Sequence, residues 1–232
     1  MEGLDSLFQE ILARKLSPEG YAWLQAKGAT LQEGVKPAEL SRIFSQVPRF
    51  ASRAIAEEVS QDMRAELSQD MPAAPAQLRL HETGEWNTDT LCRVWLLLQV
   101  PAQDKSKYVG IIDPLFSGAE VNELVALYKA LELLAYPEYW ITRCEEGVRS
   151  NIGSVLEAIM YNNAYPAVYL SEAAWNQMIL KAFFTEKDVR QIRGLKQRNN
   201  PALKETLADY VQERLAAGRS VNPEIYKLME IE

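Results

Sequence analysis

Apolar residues recur at i, i+3, i+4 and i+7 along nearly the whole chain and almost never alternate strictly, a pattern that predicts an all-α protein. Leu4, Phe8, Ile11 and Leu12 form the stripe of a first helix that ends before Ser17 and Pro18. Pro18 opens a second helix carrying Tyr21, Trp23 and Leu24, because proline lacks only an N–H that the first helical turn leaves unbonded. Gly34 and Pro37 separate it from a third helix with Leu40, Ile43, Phe44 and Val47. Pro48 breaks the chain again, and a fourth stripe runs through Ile55, Val59, Met63 and Leu67.

Residues 70–84 hold Pro72, Pro75 and small or polar residues without a stripe, which predicts a surface loop or linker. Helical order resumes at Asn87, an N-cap residue, with Leu91, Val94, Trp95 and Leu98 behind it. Gln103 to Asp113 fits either a short helix or an extended piece before Pro114. Ser117 with Glu120 reads as a capping box for the helix of Val121, Leu124, Leu127, Tyr128 and Leu131. Pro137 starts the next element. Further stripes cover Tyr139–Val148, Ile152–Tyr161, Ser171–Phe184 and Pro201–Ala217, with a last short turn after Pro223. Asn200 with Pro201 and Asn222 with Pro223 are cap-then-proline starts, and Gly218 stands where a left-handed cap belongs. Roughly ten helices with short turns predict one all-α domain over residues 1–232, an irregular array of antiparallel helical hairpins, HEAT-like (an α-solenoid) or bundled. No clean period supports a regular repeat.

Composition narrows function more than fold. The chain has 232 residues, 47% apolar and 25% charged, the balance of an ordinary globular protein. A formal net charge of -7 argues against nucleic acid, which needs gathered Lys and Arg, and against anionic membrane surfaces. The apolar run Val94 to Val100 is too short to span a bilayer, so no membrane insertion is expected. Glu2, Asp5 and Glu10 stand where a signal peptide would be basic and then greasy, so a cytoplasmic location is expected. Cys92 and Cys144 sit in apolar helical patterns and read as reduced core residues, and His81 lacks ligand-spaced partners and reads as a loop residue. No phosphate-cradling glycine loop, HExxH, GxSxG or CxxC occurs, and neither a metal nor a cofactor is expected.

Candidate chemistry concentrates late in the chain. Arg149 and Asn151 precede Glu157, which stands among Val155, Leu156, Ile159 and Met160. A carboxylate there needs a partner, Arg149 or Lys181, and is either a structural ion pair or a ligand-facing group. Gln177 and Lys181 lie one turn apart on one helix face; with Asn176 they either bridge helices or face a shared cavity. Asn162, Asn163, Tyr165 and Pro166 read first as a turn. Arg193, Arg198 and Asn199, together with Asp209, Glu213 and Arg214, read as ion-pairing groups. Asp209 and Glu213 share a face and are a weak acid/base or metal pair.

The strings ELVALYKALELL, EEGVRSNIGSVLEAI, NNAYPAVYLSEAAWNQMILKAFF and IRGLKQRNNPALKETLADYVQERLAAGRSVNPEIY, with LSPEGYAWL and LSRIFSQVPRF near the start, resemble the EboA-domain family of bacterial metabolite-traffic operons. Ala164 departs from the proline expected in its Asn-Pro-Tyr-Pro stretch. The resemblance implies an operon with a membrane prenyltransferase-like protein and sugar- or phosphate-enzyme-like proteins, linked to moving secondary-metabolite precursors toward the periplasm. The expectation is thus a non-catalytic helper that binds a metabolite or an operon partner protein. The alternatives are an enzyme that acts on an anionic metabolite with Glu157 or Asp209 as base, and a scaffold.

Overall fold

Proline and cap residues cut this chain into helices almost where the pattern places them. In the computed structural model, which describes residues 2–51 and 86–230, these are α1 (Glu2–Lys15), α2 (Pro18–Glu33), α3 (Pro37–Gln46), α4 (Thr88–Leu98), α5 (Lys105–Gly118), α6 (Val121–Ala130), α7 (Ile141–Val148), α8 (Gly153–Met160), α9 (Tyr165–Tyr169), α10 (Glu172–Phe184), α11 (Pro201–Ala216) and α12 (Pro223–Glu230). Short 3-10 turns join several of them. Among the described residues the only extended pairing is one isolated bridge, Tyr161 to Ile192, so the all-α class holds. The fourth stripe, the loop at 70–84 and His81 lie outside the described residues.

Side chains at the predicted starts satisfy the free N–H groups that each helix begins with. Ser17 accepts from Gly20, Asn87 from Thr90, Ser171 from Ala174 and Asn200 from Leu203, each such cap contributing about 1 kcal/mol. Three expectations need correction. Residues 105–118 form one helix that continues through Pro114, because Asp104 caps its start and burial of Tyr108, Ile112, Leu115 and Phe116 outweighs the lost bond at an exposed proline. The cap of α6 is Glu120, whose N–H is accepted by Glu123 at 3.1 Å, while Ser117 belongs to α5. The segment after Pro223 is a two-turn helix that buries Ile225 and Leu228.

The chain divides into two compact units, residues 1–143 and 144–232. In the first, α4 is central: Thr88 through Leu97 are all buried, and α1, α2 and α6 pack on it. Gly28 on α2 permits that approach, since a Cβ there would lie 2.4 Å from Trp95 Cη2. Asp5 of α1 accepts from Trp95 Nε1 at 2.8 Å and Gln99 Nε2 at 2.9 Å, so the same interface carries a satisfied polar network. Arg93 is completely buried; it pairs with Asp89 and donates to the Phe44 carbonyl at 3.2 Å.

In the second unit α11 packs on both α10 and α12. Trp175, Met178, Ile179 and Ala182 are the inward face of α10. Arg198 lies 4.9 Å from the Trp175 ring centre and its Nη1 donates to the carbonyls of Pro166, Ala167 and Leu170, closing the end of α9. Burial holds the Arg198 guanidinium below its ordinary pKa. Asn199 donates to Leu228 of α12 at 2.7 Å. These two residues therefore tie helix ends through backbone carbonyls, not through the ion pairs expected of them. Both cysteines are free and buried, and burial pushes each thiol up to about 12.

Candidate functional site

Two helices of the second unit each present one stripe to the same groove. From α10 come Gln177, Leu180, Lys181 and Phe184, spaced i, i+3, i+4 and i+7, and from α11 and its C-cap come Tyr210, Glu213, Arg214 and Ala217 at the same spacing. Val148, Arg149 and Arg219 complete a half-open cavity of about 590 Å³. The opposite face of α10 is core, so rigid packing fixes the stripe that lines the groove.

Two of the groove's cations, Lys181 and Arg214, are held by backbone carbonyls. Lys181 Nζ donates to the Ser150 carbonyl at 2.7 Å, and its partial burial lowers the amine's pKa from the ordinary lysine value. Arg214 donates through Nε and Nη2 to the Ser220 carbonyl at 3.0 and 2.8 Å, with its guanidinium 5.9 Å from the Tyr210 ring centre. Arg219 is placed by the helix end: Gly218 has φ 66, Gly218 N–H donates to Leu215 at 3.0 Å and Arg219 N–H to Arg214 at 2.9 Å. This is the left-handed glycine cap that the pattern predicts at Gly218. Arg149 lies 3.6 Å from Glu145, one turn back on α7 and outside the lining.

The structure thus gathers Arg149, Gln177, Lys181 and Glu213 from the sequence candidates and leaves the others elsewhere. Asn151 is exposed and does not line the groove. Glu157 pairs with Lys187 at 2.5 Å, a correction to the expected Arg149 or Lys181. Asn162 takes a left-handed turn, φ 52, and donates its N–H to Gln191 at 2.9 Å. Asn163 donates to the Ala158 carbonyl and accepts from the Tyr165 N–H, so Asn162 and Asn163 form the expected turn, whereas Tyr165 and Pro166 open helix α9. Tyr165 is 1% exposed, its ring tilted against that of Tyr169 with centres 4.7 Å apart. Asn176 is buried against Asn200, a helix-to-helix bond away from the groove. Asp209 is exposed; although it shares a face with Glu213, it does not line the groove. No group of three His, Cys, Asp or Glu side chains among the described residues could hold a metal.

Sequence reasoning missed Phe184, Tyr210 and Arg219 as lining residues. Phe184 is 70% exposed although its position in the apolar stripe reads as core. The repeated i, i+3, i+4, i+7 spacing with polar members was the available signal. It also missed Arg93, whose Nη2 lies 3.8 Å from Glu120 and 3.9 Å from Glu123 in addition to its Asp89 partner. A charge in the apolar run of α4 was the clue there. A second cavity of about 670 Å³ lies between residues 189–197 and α12; of its three lining cations, Arg190 and Lys227 are paired with Asp188 and Glu224, and Lys196 is the third.

Among the described residues no helix is long and apolar enough to cross a membrane. The family model for the metabolite traffic protein EboA matches residues 4–230. No curated protein and no solved structure matches the chain.

Proposed function

Because the chain belongs to the EboA family of metabolite traffic proteins, we propose that it assists the movement of a secondary metabolite or its precursor by holding that molecule in the groove between α10 and α11. The observation that carries this reading is the convergence of two helix stripes, 177-180-181-184 and 210-213-214-217, on one cavity of about 590 Å³. Small-molecule sites span roughly 300–1,000 Å³ and combine apolar walls with a few fixed polar groups. Leu180, Phe184, Tyr210 and Ala217 supply the walls, and Gln177, Lys181 and Arg214 the polar groups.

A binding role is better supported than a catalytic one. The carboxylates that the pattern offers as bases, Glu157 and Asp209, lie off the groove, and Glu157 is engaged by Lys187. An enzyme at this site would rest on Glu213 alone among carboxylates. In this reading the protein works in the cytoplasm beside other proteins of its operon, to which it passes the metabolite.

Filling the groove tests the reading. Ala217 is exposed at the end of α11, so Ala217→Trp occupies the cavity without touching the core. Cells that lack the chain are complemented with either form, and metabolites inside and outside the cells are profiled. The variant is expected to keep the wild-type melting temperature and to reproduce the profile of cells without the protein. Restoration of the wild-type profile by Ala217→Trp would overturn the proposal.

A further inference from the structure

The groove reverses the charge of the molecule that carries it. The chain as a whole is formally -7, yet the lining holds Arg149, Lys181, Arg214 and Arg219 against the single carboxylate of Glu213. Neither Lys181 nor Arg214 has a carboxylate within ion-pair distance among the described residues; each rests on a backbone carbonyl, which fixes the side chain and leaves its charge uncancelled. Donors also remain. An ammonium has three N–H bonds and a guanidinium five, and the bonds to Ser150 and Ser220 use one from Lys181 and two from Arg214. Beside these cations stand Leu180, Tyr210 and the exposed ring of Phe184.

Building on the groove reading above, we propose that the ligand is a small aromatic anion, its carboxylate or phosphate held by Lys181, Arg214 and Arg149 and its flat body resting on Leu180 and Phe184. Lys181 and Arg214, fixed without an internal counter-ion, gain most from a ligand that brings one, since charge-assisted bonds are the stronger class, and Arg149, 3.6 Å from Glu145, adds its charge at the rim. An anion also relieves the penalty that burial imposes on the Lys181 ammonium. A neutral aromatic would leave that charge as costly as before, and a bare inorganic ion would leave the Phe184 ring in water.

Calorimetric titration of the full chain at low salt tests this with four probes: naphthalene-2-carboxylate, 2-naphthyl phosphate, naphthalene-2-carboxamide and inorganic phosphate. Both naphthyl anions are expected to bind at least about tenfold tighter than the amide and the inorganic ion, and to weaken as salt is added. The tighter of the two distinguishes a carboxylate from a phosphate headgroup. Arg149→Glu, at a largely exposed position, is expected to weaken both anions about tenfold while the fold is unchanged. Phe184→Ala should weaken the naphthyl anions and leave inorganic phosphate as it was. An amide that binds as tightly as the anions, and is lost in Ala217→Trp, sinks the ligand class and leaves the groove reading standing. Anion binding indifferent to Arg149→Glu and Ala217→Trp overturns the proposal, as does the absence of binding by any probe. The groove reading itself falls only if Ala217→Trp also supports a normal metabolite profile in cells.

Discussion

Asn176 of α10 and Asn200 at the start of α11 exchange two amide hydrogen bonds, Asn176 Nδ2 to Asn200 Oδ1 at 3.1 Å and Asn200 Nδ2 to Asn176 Oδ1 at 2.9 Å. Asn200 Oδ1 also accepts from Leu203 N–H at 2.9 Å, so one side chain both caps α11 and locks it to α10, the two helices that form the groove. Asn176→Ala removes one partner each from Asn200 Nδ2 and Oδ1, which keep the Arg198 carbonyl and the Leu203 N–H, and is expected to cost about 1 kcal/mol. Urea unfolding measures this. A loss under about 0.5 kcal/mol would mean that water replaces the pair at no cost.

Gly28 marks a place where α2 comes close to α4 in the first unit. A Cβ on Gly28 would sit 2.4 Å from Cη2 and 2.8 Å from Cζ3 of Trp95, and Trp95 is itself pinned through Nε1 to Asp5. The ring cannot withdraw without breaking that bond. Gly28→Ala is therefore expected to destabilise by about 1–3 kcal/mol, despite the better helix propensity of alanine. Gly110→Ala, where nothing lies within 4 Å of the added carbon, is the matched control and should stabilise slightly.

These two cases show which parts of the molecule were legible in sequence. Helix ends were, because Ser17, Asn87, Ser171 and Asn200 act on their own first turns, a local effect that needs no knowledge of the fold. Pro114 was misleading because a local penalty met a non-local gain: the residues that hold α5 together are buried by other helices. Half of the site followed from local rules, since Gln177 and Lys181 one turn apart must share a face. The rest did not. Glu157 finds Lys187 thirty positions away beyond α9 and α10, and Phe184 is chemically indistinguishable from a core residue until its neighbours are known. A sequence reports periodicity, whereas a groove depends on which stripes another helix leaves uncovered.

A pH experiment isolates Lys181. Partial burial depresses its folded pKa below the unfolded lysine value of 10.5, so the folded state gives up the proton first as pH rises. Between the two pKa values the unfolded chain binds more protons, and stability from this group therefore increases with pH. Below that window the cost of burying the ammonium is fully present. The difference in unfolding free energy between the wild type and Lys181→Met should shift in favour of the wild type as pH rises toward 10.5. A difference that is flat with pH, or that moves against the wild type, refutes the assignment.

Arg93 gives the largest expected effect. Its guanidinium is wholly buried at the junction of α3, α4 and α6, where it pairs with Asp89, donates to the Phe44 carbonyl, and lies within 4 Å of Glu120 and Glu123. Arg93→Met removes the guanidinium from this cluster and takes from the Asp89 carboxylate, 2% exposed, its partner one turn away. Breaking a buried pair from one side costs roughly 3–5 kcal/mol, because the surviving charge keeps its desolvation penalty and loses its compensation. Replacing both partners removes the penalty with the attraction. Asp89→Leu combined with Arg93→Met is therefore expected to be more stable than Arg93→Met alone, by about 2 kcal/mol or more. Chemical denaturation of the single and double variants decides between the two outcomes. If the double variant is the less stable, the buried arginine draws its value from Phe44, Glu120 and Glu123 instead of from Asp89.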